Sequence, residues 1–197
     1  MRTALTLTAI ALAAATLPAT TSTAAAPAAP TAQPPVGIVL KAARFAPPTA
    51  FVRSDAITYD TTLVPAGAFI GVAEIGAGGE THTEIGLHGL LPDRAYGAHV
   101  HTKPCGYTPE ESGPHYQNDV DPVQPSTDPA YANPENEVWL DFTTDSRGEA
   151  TAGSVNDWRF RRGGARSIVV HEHGTATDPG HAGTAGDRLA CFSVRLK

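Results

Sequence analysis

The sequence predicts an all-β fold: a Greek-key β-barrel or sandwich of about eight antiparallel strands, immunoglobulin-like in layout, with long loops. Two observations carry that expectation. Short segments of alternating apolar and polar residues recur between clusters of Gly, Pro and Asp. No stretch sustains the helical period of apolar positions.

Taken in order, residues 1–26 have the layout of a secretory signal peptide. Arg2 precedes an apolar run from Ala4 to Leu17, and small residues end at Ala24-Ala25-Ala26. The run is too short for a membrane anchor, which takes roughly 20 residues. Residues 27–54 read as a Pro/Ala-rich linker, with prolines at 27, 30, 34, 35, 47 and 48 and an isolated strand at Val36–Leu40. The folded domain is expected over 55–197, long enough to bury a core without help from a metal or a disulfide.

Within the domain, Ala68–Ile75 and Thr81–Leu87 flank Gly76-Ala77-Gly78-Gly79 and read as a hairpin. Ile85 and Leu87 share one face of the second strand; His82, Glu84 and His88 take the other, solvated one. Glu137–Thr144 alternates Val138, Leu140 and Phe142 against Glu137, Trp139 and Asp141, before a turn at Asp145–Gly148. Ala150–Phe160, Arg166–His171 and Leu189–Leu196 supply further strands. Trp139 and Trp158 are expected to be packing residues. Residues 102–135, dense in Pro, Asp, Asn and Ser, form a loop long enough to imply function.

The formal charge of −6 argues against general nucleic-acid binding. The basic cluster Arg159, Arg161, Arg162 and Arg166 reads as a solvated strand end. The chain has two cysteines, Cys105 and Cys191, which fit an exported protein with one disulfide.

Histidines carry the chemistry. His99 and His101 lie two apart in a strand and so share a face. His115 follows in the long loop, and His171 ends an apolar strand. Four neutral imidazoles from separate segments suit copper or zinc, with copper held more tightly at a given site.

In this order, Gly97-Ala98-His99-Val100-His101, Ser112-Gly113-Pro114-His115, Arg166–Glu172 and Gly183–Cys191 resemble the copper/zinc superoxide dismutase family. The resemblance covers roughly residues 57–197 and is of the secreted bacterial type. It implies a Greek-key barrel and a copper ion ligated by His99, His101, His115 and His171. It also implies a Cys105–Cys191 bridge, and Arg188 as the cation that orients superoxide, with His115 and Arg188 the catalytic pair.

The chain departs from the family at zinc. No histidine lies between Tyr116 and Asp141; Glu135 stands where a zinc histidine should be, and Val138 where an aspartate should be. Zinc is therefore not expected, and the second nitrogen of His115 needs another partner. Asp119, Asp121, Glu135, Glu137 and Asp141 are candidates. Between His171 and Arg188 lie only residues 172–187, and Thr175 takes the place of a family aspartate. His173 is expected at the rim, and His181 reads as a loop histidine. The competing function is a secreted copper-binding or copper-buffering protein with little dismutase activity, which gives Arg188 no task. Oligomeric state is not legible.

Overall fold

A computed structural model of the chain describes residues 36–197. The expected signal peptide, 1–26, and the first part of the linker lie outside the described residues. Among the described residues nine strands form one sheet: β1 Gly37–Ala46, β2 Ala56–Thr58, β3 Phe69–Ala77, β4 Glu80–His88, β5 Ala95–His101, β6 Phe142–Thr143, β7 Glu149–Asn156, β8 Ser167–His171 and β9 Arg188–Ser193. Their order is β6-β5-β8-β9-β2-β1-β3-β4-β7, and the two end strands are joined through the Asp145–Gly148 turn. The result is a nearly closed barrel, as the alternating pattern predicts. Among the described residues the one helical element is a 3-10 turn at Pro109–Ser112, and no helix is long and apolar enough to cross a membrane.

The hairpin forms as expected. β3 and β4 pair from Phe69↔His88 to Ala77↔Glu80. Gly78 and Gly79 close it at φ of 61° and 98°, a left-handed pair that glycine adopts without a Cβ clash. Ile85 and Leu87 are buried and His82, Glu84 and His88 face solvent.

Two expectations need correction. The linker reading of 27–54 fails over β1, which pairs with β3 from Gly37↔Gly76 to Arg44↔Phe69 and buries Phe45. Flanking prolines made the segment read as linker, yet Pro47-Pro48 stand just outside the strand, where they remove no ladder donor. β1 also pairs with β2 in parallel, through Phe45↔Ala56 and Ala46↔Ile57, so the sheet is not wholly antiparallel. The second correction concerns Glu137–Thr144, where only Phe142–Thr143 is regular strand. Residues before it run along β5 through single contacts, Val100 N–H to Val138 C=O at 3.3 Å and Leu140 N–H to Ala98 C=O at 2.7 Å.

The alternation of that segment still holds, and it positions the site. Val138, Leu140 and Phe142 enter the core with Tyr96, Ala98 and Val100 of β5. Glu137, Trp139 and Asp141 therefore face the same way as His99 and His101. Trp158 packs in the core against Tyr116 and Phe160, as expected.

Candidate metal centre

Four histidines meet beside β5. His99 and His101 extend from one face of that strand and are fully buried. His115 is drawn alongside by the Tyr116 N–H, which donates to Val100 C=O at 2.8 Å. His171 arrives at the end of β8, paired with Gly97 of β5 on one side and with Arg188 of β9 on the other. One ring nitrogen from each of the four lies within 4.8 Å of the other three. Among the described residues this is the one group of such side chains able to hold a metal ion.

The outward-facing nitrogen of each ring is fastened. His101 Nδ1 donates to Gly113 C=O at 2.9 Å. His171 Nδ1 faces Gly186 C=O at 3.5 Å. His115 Nδ1 donates to Glu137 Oε2 at 2.8 Å, and His99 Nε2 meets Thr175 Oγ1 at 2.6 Å. Each contact fixes a tautomer and turns the other nitrogen's lone pair inward. Two observations show that these inner atoms fit a metal. His99 Nδ1 is buried with no hydrogen-bond partner. His101 Nε2 and His171 Nε2 face each other at 3.3 Å. Burial pushes the His99, His101 and His171 imidazoles well below the usual histidine range, His171 to about 3, and the neighbouring rings add to the effect. Neutral imidazoles are the form that ligates. A four-nitrogen donor set suits copper or zinc.

Of the five carboxylates proposed to support His115, the structure selects Glu137. It is 1% exposed, and three donors converge on it: His115 Nδ1, Trp139 Nε1 at 2.7 Å and Gln117 Nε2 at 2.8 Å. Asp141 instead serves His99 through Thr175. Asp121 braces the loop, accepting from Val123 N–H and Ser126 Oγ–H. Asp119 and Glu135 are exposed, and Val138 lies in the core. Trp139 is thus a neighbour of the site rather than a packing residue, its ring 6.0 Å from that of His99. Gln117 was not singled out in the sequence, where nothing sets it apart from the other polar residues of its loop.

Arg188, half-buried, donates from Nη1 to Ser112 Oγ at 2.8 Å and Pro109 C=O at 3.2 Å. A cavity of about 190 Å³ is lined by His115, Glu137, His171, Gln124, Thr184 and Arg188. A larger hollow of about 470 Å³ beside Cys105 and Tyr107 contains no histidine. Cys105 and Cys191 are bonded, with Cα atoms 5.6 Å apart, which ties the loop after β5 to the strand carrying Arg188. His173 and His181 are exposed, as expected. The basic cluster is not merely solvated: Arg161 donates to Gln117 C=O at 2.6 Å and Asn118 C=O at 2.7 Å, and lies over the Tyr116 ring.

No protein-family model and no curated protein sequence matches this chain. Solved structures do. A Cu/Zn superoxide dismutase from Brucella abortus is similar at a TM-score of 0.52 and 19% identity, over 80% of this chain and 99% of that one. A double mutant of a SOD-like protein from Bacillus subtilis is similar at 0.50 and 16%, over 72% and 97%. At these identities the likeness is one of fold, and the described chain has the Cu/Zn superoxide dismutase fold.

Proposed function

We propose that this protein dismutates superoxide to oxygen and hydrogen peroxide outside the cytoplasm, using one copper ion held by His99, His101, His115 and His171 and no zinc. The observation that carries the reading is Arg188, a fixed cation in the wall of the cavity that His115 and His171 also line. When bound, copper supplies the one-electron couple by which two superoxide ions and two protons become oxygen and hydrogen peroxide.

The chain's own residues do the rest. His99 Nδ1 and the Nε2 atoms of the other three histidines are the ligand atoms left free by the hydrogen bonds. Arg188 draws a small anion into the cavity and orients it, and Ser112 and Pro109 hold the guanidinium still. His115 is both ligand and wall, its proton kept on Nδ1 by Glu137. The buried carboxylate does the orienting that a second metal would otherwise do. Export rests on the leader-like residues 1–26 and is supported by the disulfide.

Superoxide consumption by the copper-loaded protein tests the proposal. Arg188→Ala should keep its copper and lose about tenfold or more in rate at low ionic strength, the range of electrostatic steering. Wild-type activity no greater than that of the copper-free protein would instead favour the copper-buffering reading.

A further inference from the structure

His99 is the one ligand whose outer nitrogen is held by a side-chain hydroxyl, and the direction of that contact can be worked out. Thr175 has a single O–H. It donates to Asp141 Oδ1 at 2.7 Å, so its oxygen is left to accept from His99 Nε2–H at 2.6 Å. The alternative gives the hydroxyl proton to the ring and puts the ring proton on Nδ1. That would bury an N–H donor with no partner, since Nδ1 makes no hydrogen bond. The chain N–H···O–H···carboxylate satisfies every donor.

The hydroxyl is itself held in place. Thr175 N–H donates to Asp141 Oδ2 at 2.6 Å, so Asp141 grips this residue twice. Asp141 is in turn tied to β5 by Ala98 N–H, at 3.1 Å to Oδ1. Thr175 belongs to the segment between β8 and β9, which folds on itself through Glu172 N–H to Asp187 C=O and His173 N–H to Ala185 C=O. The same segment supplies Gly186 C=O, which faces His171 Nδ1. It lies close over Gly97, where a Cβ would come within 2.5 Å of His173 O.

We propose that Thr175 is a positioning residue: its hydroxyl, oriented by Asp141, fixes His99 as the Nε2–H tautomer and so aims Nδ1 at the metal. The proposal deepens the copper reading and depends on it only for its affinity prediction. Docking of the 172–187 segment and orientation of a ligand become one event, because a single residue does both.

The test uses the full-length, metal-free protein with ¹⁵N-labelled histidine. Long-range ¹H–¹⁵N correlations should show His99 with its proton on Nε2 in the wild type. Thr175→Val removes the hydroxyl and should abolish that single tautomer, whereas Thr175→Ser should retain it. If the valine disturbs the segment, Thr175→Ala removes the same hydroxyl without added bulk. In chelator competition, the Val or Ala variant should bind copper about 10–100-fold more weakly, the usual size of effect for a residue that orients a metal ligand, with Ser restoring affinity. A wild-type His99 protonated on Nδ1, or hydroxyl-free variants with unchanged tautomer and affinity, would overturn the proposal. A wild type with the expected tautomer that binds no copper would contradict the function and leave the role of Thr175 standing.

Discussion

Glu137 concentrates the chemistry of the site into one buried carboxylate. It receives three hydrogen bonds and, among the described residues, has no Lys or Arg partner. Glu137→Ala should leave those donors unpaired at about 1–3 kcal/mol each, and should weaken copper binding about 10–100-fold. Urea titration and chelator competition measure the two effects. The histidines set a pH dependence of known sign. His99, His101 and His171 titrate below their ordinary value of 6.5 in the folded protein. The unfolded chain therefore binds protons there that the folded chain refuses, and metal-free stability falls as pH drops from 6.5 toward about 3. Each histidine contributes at most about 1.4 kcal/mol per pH unit within that window. Copper, which requires the neutral rings, should raise the urea midpoint at both pH 7.5 and pH 5 without flattening the decline; urea midpoints at the two pH values with and without copper check this. At this scale the converging histidines and the cysteine pair were legible, from strand spacing and the family resemblance together. Glu137 was legible only as one of five carboxylates. Choosing among them needed the path of the loop, which no periodicity in residues 102–135 reveals.

Strands position the site and loops complete it. The Cys105–Cys191 bridge spans 86 residues, and closing such a loop is worth about 4–5 kcal/mol as an upper value in the chain-entropy model. Replacing both cysteines by serine should lower the urea midpoint accordingly. It should also raise amide exchange around Cys105, whose N–H donates to Ser193 Oγ on β9. Gly97→Ala should be destabilising by about 1–3 kcal/mol. Its Cβ would meet His173 O at 2.5 Å and Ala185 Cβ at 2.8 Å, forcing the 172–187 segment outward. Faster hydrogen exchange across that segment is the expected readout. The β3–β4 hairpin was legible because alternation and a Gly-Gly turn agree. β1 was not: its inward residues, Val39, Ala43 and Phe45, are outnumbered by prolines on either flank.

As a whole, the molecule places a converging set of imidazoles in the wall of a barrel with an apolar core. β5 faces the core with Tyr96, Ala98 and Val100 and the site with His99 and His101, so one strand sets both stability and ligand geometry. Alternation of two residues per repeat is a whole-sheet property, which is why the fold class was readable from sequence even where single strands were misjudged. The count of metals is a whole-molecule property too. The proposal of one copper and no zinc rests on what faces the outer nitrogen of His115, and there stands Glu137. The decisive measurement is metal content per chain, by mass spectrometry, after the metal-free protein is equilibrated with copper and zinc together and freed of unbound ions. One copper and no stoichiometric zinc is the predicted result. One zinc bound alongside one copper would contradict it.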